Sequence, residues 1–280
     1  MNYPKVLTIQ DISCVGQCSL TAALPILSAA GAETCILPSA VLSTHTGGFT
    51  GFTFRDLTED MPAIAAHWKK EGIAFDAVYT GYLGSIRQIG IVQEIFAELR
   101  RPDAKTFVDP AMADNGVLYS IFDMPYVNAM KPLFFGADVV LPNLTEACLL
   151  TDMPYRETYD EAYITEILDR MEAAGAKTII LTGITYKPET TGVIVVEDGK
   201  RRYYEHKRIE RGCHGTGDVY ASAFVGAYLR GMNAFESAKL AADFTVRSIE
   251  NTLGDESHWY GVKFETALPM LIEALAKQEL

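Results

Sequence analysis

The sequence predicts an α/β fold: a central, mostly parallel sheet flanked by helices on both faces, carrying an antiparallel hairpin at one edge. Residues 1–280 read as a single domain, with no internal repeat, low-complexity tract or linker. Two observations lead there. Short apolar runs of strand length alternate with amphipathic stretches of helix length, the pattern of repeated βα units. That alternation breaks once, where Gly192–Val196 and Arg201–Glu205 flank Asp198-Gly199, a hairpin signal.

Val6–Ile9 reads as a buried strand, followed by a helix from about Cys18 to Ala30 that Gly31 stops. Thr34–Leu37 is the next strand. The stretch from Pro38 to Thr58 is rich in Thr, Ser and Gly, with Phe49, Phe52 and Phe54 between them. It is too polar for core and too aromatic for a passive linker, which leaves a flap or β-excursion, or a long surface loop with its rings packed down. Helices are expected over Met61–Glu71, Arg87–Arg100, Tyr126–Phe135 and Glu161–Ala174, and strands over Ala77–Tyr79, Thr106–Asp109, Ala137–Leu141 and Thr178–Thr182. After the hairpin come an apolar, small-residue helix from Val219, a helix to about Asn251 opened by the capping-box-like Asn233-x-x-Glu236, and a last helix over Phe264–Lys277.

The formal charge of −12 disfavours a non-specific nucleic-acid partner, which needs a basic face. A local nest of N–H groups could still bind a small anion against that field. The five cysteines are odd in number and form no dense framework, and Cys14 and Cys18 lack the other pair that a zinc site needs. No uncharged run reaches membrane-spanning length, and residues 1–5 do not open a secretory signal. A cytoplasmic enzyme with no membrane partner is the expectation.

Polar residues collect where strands end. Gln10-Asp11, Thr80-Gly81-Tyr82, Asp109-Pro110, Pro142-Asn143 and Thr182-Gly183 all fall at carboxyl ends of expected strands, where open parallel sheets bind ligands. Cys213-His214-Gly215-Thr216-Gly217-Asp218 opens an apolar helix. Its glycines permit close backbone approach, and the helix start offers unpaired N–H groups to an anion. Asp218 can be a simple cap, or a base that takes a proton from an attacking hydroxyl beside that anion. Asn143-x-x-Glu146 can likewise be a capping box, or an amide and a carboxylate serving a hydrated magnesium ion. No Walker-type loop, no Gly-x-Gly-x-x-Gly after the first strand, no Gly-x-Ser-x-Gly and no His-Glu-x-x-His is present.

Asn143-x-x-Glu146 followed by Gly215-Thr216-Gly217-Asp218 resembles the paired signature of the ribokinase-like small-molecule kinases. Ile9-Gln10, His45-Thr46, Gly81-Tyr82-Leu83-Gly84-Ser85 and Asp109-Pro110-x-Met112 resemble, in family order, the pyridoxal kinases. The resemblance implies transfer of the ATP γ-phosphate to the 5′-hydroxymethyl group of a vitamin B6 vitamer. It implies Asp218 as base and Gly215, Thr216 and Gly217 as an anion hole. Asn143 and Glu146 would serve magnesium and the phosphates; Asp109, Asp114, Tyr119 and Thr182 would lie along the nucleotide. Asp11, His45, Thr46 and Tyr82 would line the vitamer site under the 38–58 flap. A potassium ion near the anion hole and a homodimer are further traits the resemblance implies. The family commonly has Ser where this chain has Asp11, a carboxylate suited to a protonated pyridine nitrogen or amine. Hydroxymethylpyrimidine kinase is the nearest alternative activity, and a nucleotide-binding regulator without chemistry is the alternative of another class.

Overall fold

The computed structural model describes residues 3–209 and 213–277. The chain runs β1 (Lys5–Ser13), α1 (Leu20–Ala29), β2 (Glu33–Leu42), β3 (Phe54–Asp56), α2 (Met61–Lys70), β4 (Phe75–Thr80), α3 (Ile86–Glu98) and β5 (Arg100–Val108). It continues with β6 (Ala113–Asp114), β7 (Val117–Leu118), α4 (Met124–Gly136), β8 (Val139–Val140), α5 (Leu144–Leu150) and α6 (Glu161–Ala173). β9 (Thr178–Ile184), β10 (Thr190–Glu197), β11 (Lys200–Lys207), α7 (Thr216–Leu229) and α8 (Ala234–Glu250) follow, then a 3₁₀ turn (Phe264–Ala267) leading into α9 (Leu268–Ala276).

Among the described residues the main sheet has nine strands in the order β11-β10-β9-β8-β5-β4-β1-β2-β3. Strands β2, β1, β4, β5, β8 and β9 are mutually parallel, β3 and β10 run antiparallel to them, and β11, paired antiparallel to β10, forms the edge beyond it. Both faces are buried, which is why the strands read as continuous apolar runs. Alternate residues feed the two cores. Leu7 and Ile9 of β1 pack on the side of α2 to α6, and Val6 packs with α1, α7, α8 and α9. Because parallel strands need crossover helices, their carboxyl ends all emerge at one edge of the sheet, and the polar strand ends emerge together.

The hairpin expected at Asp198-Gly199 is present, with φ of 51° and 71° at the two turn residues and Thr190–Glu197 paired to Lys200–Lys207. A second, smaller hairpin was not anticipated: β6 and β7 are joined by Asn115-Gly116, at φ 50° and 79°. Asn-Gly is the same turn chemistry, but strands of two residues leave no periodicity to notice.

β2 continues to Leu42, five residues beyond the expected strand end at Leu37, and β3 returns antiparallel to it. The Pro38–Thr58 stretch is therefore a β-excursion at the sheet edge, its tip folded over the carboxyl ends. The β1–β2 register slips between Gln10 and Ile12, opposite the stretch from Pro38 to Val41. Proline has no N–H for the ladder, so a bulge falls naturally there, and bulges re-aim neighbouring side chains.

Candidate active site

A polar cleft at the carboxyl edge forms a cavity of about 770 Å³. Every residue singled out from the sequence as catalytic, nucleotide-side or substrate-side lines it: Asp11, His45, Thr46, Tyr82, Asp109, Asp114, Tyr119, Asn143, Glu146, Thr182 and Gly215–Asp218. Strand order sorts them. Asp11, Ser13, Leu42, His45–Gly47 and Tyr82 come from the β1–β2–β4 side, whereas Asn143, Thr182, Gly183, Gly192 and Val193 come from the β8–β9–β10 side. Asp109, following the central β5, and the start of α7 stand between these lobes. Gln10 is not a wall residue; it is fully buried and bonds to Thr8, and a Cβ on Gly81 would run into its amide.

At the helix start, Gly215 is the N-cap of α7 at φ 75°. A Cβ there would lie 2.7 Å from the Gln17 carbonyl oxygen and 3.0 Å from Cys18 Sγ, so glycine is required twice over. Gly217 differs. A Cβ on it would meet no protein atom within 4 Å, so its bareness leaves cavity open rather than relieving a clash. The first N–H groups of the 14-residue helix lack intrahelical partners and face this space with the positive end of the dipole.

Asp218 lies in the first turn of α7, inside the Gly215 N-cap and with no side-chain capping bond, so it is a cavity residue and not the simple cap that the sequence also allowed. Burial pushes its carboxyl up to about 7; the Asp11 charge adds to this and a bond from the Ser19 backbone N–H opposes it. That N–H is delivered by a strained segment, since Gln17 and Ser19 both have left-handed φ, 52° and 53°. Burial, then the charges of Glu146 and Asp218, drives Asp109 well above the usual carboxylate range. Its Oδ1 accepts the Ala111 N–H at 3.1 Å, from a residue itself held at φ 40°.

Asn143 and Glu146 form a full capping box on α5. Asn143 Oδ1 accepts the Glu146 N–H at 3.0 Å, and Glu146 Oε2 accepts the Asn143 N–H at 2.9 Å. Both also hold the segment after β5: the Asn143 amide donates to the Ala113 carbonyl at 2.8 Å, and the Met112 N–H donates to Glu146 Oε1 at 2.9 Å. Burial pushes Glu146 up to about 7 despite these donors. The capping and the site readings of this motif thus coexist, and the box fixes where the carboxylates of the cavity floor stand.

Thr182 follows Pro142 across the sheet, its N–H donating to the Pro142 carbonyl at 3.0 Å. Asp114 is exposed and accepts from the Asn115 N–H and amide in the turn after it. The Tyr119 N–H returns to the Met112 carbonyl at 2.9 Å. On the other side, Asp11 is buried, accepts from Ser13 Oγ at 3.0 Å, and is raised by burial. Burial, and then the Asp11 and Asp56 charges, lifts Tyr82 to about 12, so it is a neutral phenol whose ring meets Phe122. Thr46 is exposed at the cavity wall. Two groups of wall residues escaped the sequence reading. Val193, Ala221, Thr245 and Ile249 give the β10 side an apolar wall, and Ser13, Ser19 and Leu42 complete the β1–β2 side. They carry no motif, and only helix and strand packing brings them to the edge.

Five carboxylates line the cavity, Asp11, Asp109, Asp114, Glu146 and Asp218, and among the described residues no Lys or Arg does. Nor does any group of three or more His, Cys, Asp or Glu stand ready as a closed metal site among them. Such a floor repels anions except at the N–H groups of α7, unless a cation accompanies them.

A carboxyl-edge cavity of this kind, in this sheet, places the chain among the ribokinase-like small-molecule kinases, and it is an enzyme of that class. The Phosphomethylpyrimidine kinase family model matches residues 20–262, and the chain belongs to that family. A Bacteroides thetaiotaomicron protein assigned as a phosphomethylpyrimidine kinase, and crystallised with pyridoxal, is 38% identical, with a TM-score of 0.90 over 96% of each chain. Pyridoxal kinase from Lactobacillus plantarum is 31% identical, with a TM-score of 0.89 over 97% of each chain. Hydroxymethylpyrimidine/phosphomethylpyrimidine kinase from Bacillus subtilis is 27% identical over 77% of this chain and 78% of its own length.

Proposed function

We propose that this enzyme transfers the γ-phosphate of ATP to the 5′-hydroxymethyl group of pyridoxal, pyridoxine or pyridoxamine. The observation that carries the reading is the place of Asp218, a carboxyl raised to about 7 between the two lobes and next to the bare N–H groups of α7. Asp218 takes the hydroxyl proton as the oxygen attacks the γ-phosphorus; the new O–P bond forms, the bond to the β-phosphate oxygen breaks, and ADP leaves. The N–H groups from Gly215 to Gly217 hold the charge of the phosphoryl group in flight. The nucleotide lies in the β8–β10 lobe, its base on Val193, Ala221 and Ile249 and its phosphates near Thr182.

A floor of carboxylates whose charges raise one another, with no Lys or Arg among the described wall residues, fits a hydrated magnesium ion brought by the nucleotide. Asp109 and Glu146 would hold it, the latter through water, since each Glu146 oxygen already accepts an N–H. Asn143 orients Glu146 rather than ligating. Bound there, the ion would neutralise phosphate charge during transfer.

The second reading is hydroxymethylpyrimidine, which the family match and the Bacillus subtilis relative favour, whereas the pyridoxal-bound Bacteroides thetaiotaomicron relative favours B6 vitamers. With Asp11 buried in the alcohol lobe on the β1–β2–β4 side and no Lys or Arg among the described wall residues, a substrate already bearing a phosphate is disfavoured, and a basic ring or amine is suited. The test is ADP release with magnesium and ATP for pyridoxal, pyridoxine, pyridoxamine, hydroxymethylpyrimidine and phosphomethylpyrimidine. B6 vitamers should exceed hydroxymethylpyrimidine in kcat/KM by about tenfold or more, and phosphomethylpyrimidine should be inert. Equal or better turnover of either pyrimidine would replace this reading with the second.

A further inference from the structure

His45 stands in the alcohol lobe, yet its ring is occupied. The Gly47 N–H donates to Nδ1 at 3.0 Å, and Nε2 lies 2.7 Å from the Tyr260 carbonyl oxygen. One neighbour can only donate and the other can only accept, so the geometry selects the neutral ring with its proton on Nε2. Its backbone N–H donates to the Val15 carbonyl at 3.2 Å, and the ring is buried. Three segments distant in sequence, around residues 15–17, 45–49 and 258–261, therefore meet at this one side chain.

Rings and glycines close the same junction. Phe49 packs on His45 at 5.0 Å between centroids and on Trp259 at 4.6 Å, and His214 lies 5.1 Å from His45. A Cβ on Gly16 would collide with the His45 ring, and one on Gly48, at φ 81°, would come within 2.8 Å of Trp259. The bond from Nε2 to Tyr260 is the polar contact of this ring that crosses from the flap to the 258–261 segment, while the one from Gly47 stays within the flap. Thr46 and Gly47, adjacent to the fastened ring, are cavity wall.

We infer that His45 is a positioning residue that fastens the flap to the 258–261 segment, holding the cavity wall at Thr46 and Gly47 closed over the alcohol rather than hydrogen-bonding the substrate itself. The inference rests on the kinase reading for what closure accomplishes, namely keeping water from the γ-phosphate. Loss of the crossing bond leaves the flap free to open, so water competes with the alcohol.

The experiment compares His45→Ala, His45→Asn and His45→Gln, measuring ADP formed against alcohol phosphorylated, with KM and kcat separated. A Gln amide can place an N–H where Nε2 donates to Tyr260, whereas Asn reaches only the Nδ1 position. Ala and Asn should raise the alcohol KM about tenfold, the loss of one hydrogen bond, and should form ADP in excess of the alcohol phosphorylated. Gln should restore most of the coupling. Stoichiometric coupling in Ala and Asn, or Gln behaving as Ala, would overturn the assignment. ¹⁵N-resolved NMR of the wild-type His45 ring reads the fastener without any variant. The Nε2–H neutral tautomer is expected, and an Nδ1–H or charged ring at neutral pH refutes it. If no alcohol is phosphorylated by the wild type, the kinase reading fails while this NMR measurement still judges the fastener.

Discussion

The β1–β2–β4 lobe of the cavity and the floor beside it are made from opposite materials. On the β1–β2–β4 side the walls are held by local contacts: His45 is bonded at both ring nitrogens, Asp11 accepts from Ser13, and Phe49 packs at a tilt on Trp259. The floor between the lobes is electrostatically unsatisfied, with Asp109, Glu146 and Asp218 all raised by burial and, for Asp109, by each other's charge. One lobe is packed by neutral contacts at His45 and Phe49, and the floor keeps carboxyls that burial raises. This difference is a division of labour between shape and charge.

The sharpest way to break it is to neutralise the floor at its centre. Asp218→Asn should lower kcat by about 10²–10⁴-fold while nucleotide still binds, measured by turnover against calorimetric nucleotide affinity. In the wild type, burial holds the Asp218 carboxyl protonated up to about 7, so a base at Asp218 would gain its active form as pH rises. The pH profile of kcat/KM should climb from about pH 6 to pH 8 and flatten above it. A flat acid limb would remove Asp218 from the role of base.

The two glycines at the helix start should then separate chemistry from folding. Gly217→Ala adds a methyl that meets no protein atom, so stability should change by no more than about 0.5 kcal/mol. Its turnover should nevertheless fall, because the methyl enters the open space proposed for the phosphoryl group. Gly215→Ala instead meets the Gln17 carbonyl and a left-handed φ, and should cost about 1–3 kcal/mol of stability. Chemical denaturation alongside kinetics distinguishes the pair, and equal stability losses would contradict the open space at Gly217.

The smallest effect expected is a gain. A carboxyl whose folded value is raised binds its proton more tightly in the folded state, so its contribution to stability falls as pH rises through that value. Asp109→Asn removes this at pH 8, where the native charge is unfavourable. The variant should melt ~2–4 °C higher, for a gain of about 1 kcal/mol, while losing magnesium-dependent turnover. The difference should shrink as pH falls toward 5, and thermal melts over that range check it.

Much of this was legible beforehand for reasons that can be stated. Apolar runs such as Val6–Ile9 and the Asp198-Gly199 turn carry their structure locally, and the carboxyl-end rule brought Asp11, Tyr82, Asp109, Asn143 and Thr182 to one edge. The two-residue strands around Asn115-Gly116 were too short to show a period. The apolar wall of Val193, Ala221 and Ile249 reads in sequence as ordinary core. The capping box of Asn143 and Glu146 shows why local patterns leave function open, since one pair of side chains is both helix cap and cavity floor.

The sequence by itself determined the alternation of strands and helices, the polar strand ends and the Gly-Thr-Gly-Asp helix start, because these follow from backbone propensity and parallel-sheet topology. Tertiary structure alone decided what each polar group does there. Whether Gly217 faces protein or open cavity, whether the His45 ring is free or fastened, and how far Asp218 is raised depend on contacts between segments up to 215 positions apart. Hydrogen bonding and burial act through space, and no local pattern in the chain encodes those distances.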